Sequence, residues 1–306
     1  MLNYQGVANA PDRRFFVAPP PEIGEVVAGE STLRAGAKPI SGGLKFGLYI
    51  LAGIAATAVT TLAWATMPGI RGDRQPGPAL PVIAVLSLAP FLLFVWSITR
   101  FRHVSGFIGR VGAVRYTVTG RVTNRKKVEF IVFAEAAELR TKLTRRYLNG
   151  MYTGTKYTYT WVDFNGEPKL ALSGRFDDSG RRPEPKNAFN FAEAAEIAWS
   201  NFQLRRADQE LAQRGSLCFQ VGYNKIVLIG PGFIEFHFGG RVDRCEAGDI
   251  KSIQLQNGQF SIQHRDARWF SSKGKFSFPY GEMGNARVFL FAVERFLPKS
   301  TWYSGK

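Results

Sequence analysis

Residues able to do chemistry are sparse along this chain and, with one exception, scattered. His103 lies at the end of an apolar run, while His237 and His264 fall inside segments that read as strands. Hydrolysis or group transfer needs a nucleophile beside a base, a metal set or a phosphate cradle. Neither G-x-x-x-x-G-K-[ST], H-E-x-x-H nor G-x-S-x-G occurs. The glycines of "GRVGAV" (109–114) lack the third member and the preceding soluble strand that a dinucleotide loop requires. Asp177, Asp178 and Asp243 sit in turn-like segments, where acids are ordinarily solvated. Cys218 and Cys245 have no histidine nearby in sequence, so they make a poor zinc set and read as free thiols. The expectation is a chain with no catalytic residue, no metal and no cofactor.

The exception is a basic tract. Between Arg100 and Arg182 there are 17 Lys and Arg against 7 Asp and Glu, within a chain of net charge +16. Arg121, Arg125, Lys126, Lys127, Arg140, Lys142, Arg145 and Arg146 lie too far from the apolar run to be explained by membrane topology, and they are the candidate lipid or anion site. Nucleic acid is not expected, because no zinc finger, RNP-type motif or helix-turn-helix accompanies the charge. A solvated basic face would look the same in sequence, and both readings stand at this point. Just beyond, "RRYLNGMYTGTKYTYTW" (145–161) offers a recognition hairpin through Tyr147, Asn149, Gly150, Tyr152 and Gly154. Asn149-Gly150 predicts a type I′ turn and Thr153-Gly154 a bulge, with Tyr157, Tyr159 and Trp161 on one half-buried face. A purely structural hairpin would show the same pattern.

The elements that hold these residues begin with two apolar segments. Residues 46–66 run 21 positions and residues 79–98 run 20 without a charge, each the length that crosses a hydrocarbon core of about 30 Å. They predict a transmembrane hairpin over 44–101, joined by the Gly- and Pro-rich connector 67–78. Lys and Arg are denser outside the hairpin (Lys38, Lys45, Arg100, Arg102) than in the connector (Arg71, Arg74). That bias predicts an integral protein of a plasma or bacterial inner membrane with both termini cytoplasmic. Residues 1–43, rich in Pro and Gly, read as a disordered tail.

After the hairpin, clusters of short strands are each followed by one helix. Five strands between 114 and 173 precede a helix over 189–214, and seven between 217 and 278 precede a helix carrying Val288, Phe289, Ala292, Val293, Phe296 and Leu297. The predicted class is α+β, with units at 104–215 and 216–298, a tail at 299–306, and in each unit a curled antiparallel sheet closed by a C-terminal helix.

"RYLNGMYTGTKYTYTW", "GDIKSIQLQNGQFSIQ" and "ARVFLFAVERFL" carry a resemblance to an uncharacterised family of two-span membrane proteins with tandem pleckstrin-homology-like cytoplasmic domains. It covers both apolar segments and nearly all that follows; the insert "SGRRPEPK" (179–186) and the proline-rich start depart from it. The resemblance implies a two-helix transmembrane hairpin followed by two pleckstrin-homology-like modules, and carries over no catalytic or ligand residue. The functional expectation is a non-enzymatic membrane-anchored adaptor that binds anionic membrane lipids or a protein partner. The alternatives are an accessory subunit of a transport or envelope complex, including a homo-oligomer formed through the hairpin, and, behind it, a membrane-bound hydrolase.

Overall fold

The computed structural model describes residues 17–32, 41–66, 79–99, 102–119, 126–177, 188–268 and 273–297. Expectations placed on Arg121, Arg125, the connector 67–78 and the tail 299–306 lie outside these residues. The fold is α+β: four helices and several antiparallel sheets among the described residues.

The segment expected to be a tail contributes the first strand. β1 (Val26–Ser31) precedes the helices α1 (Gly42–Thr66) and α2 (Ala79–Thr99), which are followed by β2 (Arg102–Gly109), β3 (Gly112–Thr119) and β4 (Lys126–Val132). β1 to β4 form one sheet in chain order, with Glu30 opposite Gly106 and Gly106 opposite Arg115. The correction has a packing cause. Ile23, fully buried, covers Phe107, Val114 and Tyr116 on one face of this sheet, and Ala28 joins the core on the other. Gly109 is the contact point, since a Cβ there would lie 1.9 Å from the Ile23 carbonyl oxygen. The glycines of "GRVGAV" therefore serve a strand turn that a strand does precede, and the segment 17–31 is part of the folded unit.

A three-stranded sheet, β5 (Ala136–Leu148), β6 (Met151–Asp163) and β7 (Pro168–Phe176), and the helix α3 (Ala188–Arg214) complete the first unit. The second unit repeats the plan. β8 (Leu217–Val221), β9 (Lys225–Gly230), β10 (Phe233–Phe238) and β11 (Arg241–Glu246) form four strands; β12 (Ile250–Gln256), β13 (Gln259–His264) and β14 (Lys275–Pro279) form three; α4 (Ala286–Phe296) follows. Four strands, three strands and a helix thus occur twice. α1 and α2 stand where the second unit has only the short turn 222–224 between β8 and β9. Of the stretch 268–272, counted among the seven strands expected between 217 and 278, Arg268 is in no strand and 269–272 lie outside the described residues.

α1 is the one described helix long and apolar enough to cross a membrane; the apolar stretch described in α2 is the shorter Val82–Ser97. The two pack on each other, burying Ala52, Ala56 and Val95 and leaving Leu51, Ile54, Leu62, Leu86, Leu93 and Phe94 exposed. The hydroxyls of Thr57, Thr60 and Thr66 donate to the carbonyls of Gly53, Ala56 and Leu62 at 2.8 to 2.9 Å, so α1 presents no unmet threonine donor at these positions.

The two units are stitched together by the residues just before α4. The Gly284 amide donates to the Gln220 carbonyl at 2.8 Å, and the Asn285 amide donates to the Leu139 carbonyl at 2.8 Å, so β8 and the edge of β5 share one short segment. Asn285, at φ 57°, accepts on Oδ1 from the Leu139 amide at 2.9 Å and the Trp199 indole at 2.8 Å. Beside it Glu196 accepts from Thr141 at 3.2 Å and from Arg287 at 3.3 Å. Burial raises the Glu196 carboxyl above the usual range, with the Arg287 charge opposing.

One half-buried acid, Glu30, gives the first unit a pH dependence. Burial pushes Glu30 up to about 7, against the charge of Arg115 across Gly106. Between about 4.5 and 7 the folded chain keeps a proton that the unfolded chain releases, so stability is highest at low pH and falls as pH rises through that window. We expect a loss of up to about 3 kcal/mol from pH 4.5 to 8, and a shallower profile in Glu30→Gln, in which the raised Glu196 carboxyl still acts, read from denaturation midpoints of the detergent-solubilised chain.

Candidate anion-docking face

β5 and β6 are 13 residues each and pair from Ala136 with Asp163 out to Leu148 with Met151. Alternation sends one side of this ribbon inward and the other outward. Inward lie Thr141, Tyr157, Tyr159, Trp161 and Leu172, all buried, as the aromatic spacing requires. Burial pushes the Tyr157 hydroxyl up to about 12 and raises Tyr159 further. Glu30 adds to the first shift, with Arg115 opposing, while Glu196 adds to the second. Both phenols stay neutral and belong to the core.

Outward lie Lys142, Thr144 and Arg146 of β5, Thr158, Lys156 and Gly154 of β6, and Ser173 and Arg175 of β7. Register places Lys142 opposite Thr158 and Thr158 opposite Ser173, Thr144 opposite Lys156 and Lys156 opposite Arg175, and Arg146 opposite Gly154. Four exposed cations, Lys142, Arg146, Lys156 and Arg175, therefore share one face with no carboxylate in register with any of them. Among the described residues none of the four is in an ion pair, whereas other cations of the chain, such as Lys127 with Glu129 and Lys169 with Asp163, are.

Beyond the core the ribbon continues to an apolar end. Tyr147 is 60% exposed, Leu148 65% and Met151 70%. Asn149 at φ 49° and Gly150 at φ 79° close the two-residue turn with both residues left-handed, as a type I′ turn demands. A register shift between Arg146 and Tyr147 leaves Thr153 as the extra residue, and its hydroxyl donates to the Arg146 carbonyl at 3.2 Å. The Tyr147 and Tyr152 rings meet edge to face at 5.9 Å, and the Tyr152 and Thr155 hydroxyls lie 2.8 Å apart.

The sequence-predicted cations thus divide. Lys142 and Arg146 lie on the outward face; Arg145 is exposed on the same arm with its side of the ribbon inward. Arg140 is engaged by Glu138 at 2.6 Å and by the bridge to Gly284, so it belongs to the junction between units. Lys126, with its ammonium 4.3 Å over the Tyr116 ring, and Lys127 lie at the start of β4, apart from the arm in sequence and in another sheet. Lys156 and Arg175 were missed, because only the pairing of β6 with both neighbours brings them beside Arg146. The alternation of Lys156 with Tyr157 was the available signal.

Of the residues considered for catalysis, Asp243, Cys245 and His264 line one pocket, together with Asp266, Arg268 and Lys273, and His237 and Cys218 do not line it. His237 contacts Glu235, His264 lies 3.6 Å from Asp266, Cys218 is exposed, and Cys245 is buried with its thiol pushed up to about 11, by burial first and by Asp243. Among the described residues no group of three His, Cys, Asp or Glu side chains could hold a metal ion. No protein-family model matches the chain, and no curated protein is similar to it.

Proposed function

We propose that the chain is a membrane-anchored adaptor that makes and breaks no covalent bonds, and that its β5–β6 arm docks on an anionic leaflet. The observation that carries the reading is the combination on one arm of four unpaired outward cations and an exposed apolar end. A cation near an anionic leaflet contributes about 1 kcal/mol, so the four together supply about 4 kcal/mol to a domain already tethered. Tyr147, Leu148 and Met151 add apolar area that gains by leaving water.

The anchor in this reading is α1 with α2. Exposed Leu51, Ile54, Leu62, Leu86, Leu93 and Phe94 would be costly in water and suit lipid. The pairing of β1 with β2 supports a return crossing, since a chain entering the bilayer at α1 must come back to the same side to complete that sheet. With the Lys and Arg bias, that side is the cytoplasm. The repeated plan of four strands, three strands and a helix supports pleckstrin-homology-like modules, with the membrane hairpin inserted between the first two strands of the first module.

The test uses the full chain in lipid nanodiscs, carrying Cys218→Ser and an environment-sensitive fluorophore on Met151→Cys. Anionic discs should shift the emission to the blue relative to neutral discs, and high salt should reverse the shift. Lys142→Gln with Arg146→Gln should weaken docking about 30-fold. Identical emission on both lipids removes the docking reading.

A further inference from the structure

We propose that the outer end of β5–β7 holds a seat for a phosphomonoester dianion, formed by Arg146, Lys156 and Arg175 around Gly154. The inference rests on the docking reading and narrows it from any anionic surface to one headgroup chemistry.

Gly154 is the centre of the seat. Its φ of 128° is one that side chains rarely adopt, and a Cβ there would lie 2.5 Å from Arg175 Nε and 3.2 Å from Arg175 Nη2. The Arg175 guanidinium therefore rests against the bare backbone of Gly154. Arg146 is the register partner of Gly154 from the other side, and Lys156 is the register partner of Arg175. Three cations from three adjacent strands thus flank one glycine on one face. None of the three side chains has a hydrogen-bond or ion-pair partner among the described residues. The nearest acid along β7, Asp177, forms no ion pair with them.

The hardware matches one class of ligand. Two guanidiniums present planar forks that pair two phosphate oxygens at a time, and a lysine adds a point charge. A phosphodiester group offers one negative charge and two free oxygens. A phosphomonoester offers three oxygens and close to two charges, and the second charge is felt by all three cations at once. The bulge contributes as well: it lets Gly154 take its backbone conformation while Thr153 holds the Arg146 carbonyl, so the ribbon is fixed at the seat and not left to fray.

The experiment repeats the nanodisc measurement with two anionic lipids at matched surface charge, phosphatidylserine and phosphatidic acid. Docking should be about tenfold stronger on phosphatidic acid. Arg175→Lys, which keeps the charge and loses the fork, should bring phosphatidic acid down to the phosphatidylserine level and leave docking on phosphatidylserine unchanged. Gly154→Ala, which pushes Arg175 aside, should do the same. Equal docking of the parent chain on both lipids overturns the seat while leaving the docking reading intact. No docking on either lipid overturns the reading beneath it. Millimolar glycerol phosphate identifies the source of the group: loss of the preference assigns the seat to a soluble phosphomonoester, and its persistence assigns it to the lipid headgroup.

Discussion

Alanine at position 285 is expected to cost the folded chain about 4 kcal/mol. Two donors, the Leu139 amide and the Trp199 indole, converge on Asn285 Oδ1, and both residues are almost fully buried, at 3% and 1% exposure. Removing the acceptor leaves each donor buried without a partner, which costs about 1 to 3 kcal/mol apiece. The φ of 57° adds roughly 1 kcal/mol, since asparagine tolerates the left-handed region better than alanine. Asn285→Gly separates these contributions, because it relaxes the backbone while losing the acceptor, and should recover only the smaller part. Denaturation followed through Trp199 emission and hydrogen exchange at Leu139 reads both. A change under about 1 kcal/mol in Asn285→Ala would sink the idea that this residue locks the two units. Gly284 belongs to the same lock, since a Cβ there would fall 1.9 Å from Glu138 Oε2.

Removal of residues 17–31 should unfold the first unit altogether. That segment supplies an edge strand with five register pairs to β2 and a cover for Phe107 and Val114. The loss is on the order of the 5 kcal/mol or more that holds a whole domain together. Ile23→Ala alone should cost about 3 kcal/mol, because Ile23 is fully buried and its neighbours cannot close the gap. Limited proteolysis should then cut within β2 to β4 of the deleted chain and spare the second unit. A peptide of residues 17–32 added in trans should restore protection. Unchanged protection without the peptide means the first unit does not need β1, and a soluble fragment beginning at Val104 would then be a fair domain.

Both expectations concern features that sequence reading passed over, for identifiable reasons. β1 reads "VVAGES" in Pro- and Gly-rich surroundings, and β2 reads "RHVSGFIG", with two glycines that blur alternation. β11, "RVDRCE", is an edge strand whose side chains are mostly exposed, so it carries little apolar signal. By contrast the α3 and α4 helices and the β5–β6 hairpin announced themselves through periodicity and the Asn149-Gly150 turn. Within α3, Ile197 is 40% exposed while Glu196 is buried against Arg287. Local pattern reports which face is greasy; it does not report a charge that finds its partner 91 residues away.

The candidate site divides along the same line. Lys142, Arg146 and the hairpin end were legible because basic and aromatic residues interleave over a few positions. Arg175 was not, and Arg140, expected among the docking residues, is engaged at the junction between the units. Register decides both: pairing with Lys156 carries Arg175 to the face, and pairing with Glu138 and Gly284 takes Arg140 into the junction.

Amino-acid order alone determined the apolar helices, the turn at Asn149-Gly150, the excess of cations and the α+β class, because each depends on residues within a turn or a strand of one another. Tertiary structure alone decided that a strand preceding the helices completes the first sheet, that Asn285 joins the two units, and that three cations from three strands surround one glycine. Those outcomes depend on contacts between residues far apart in the chain, whose closure free energy no short window of sequence contains.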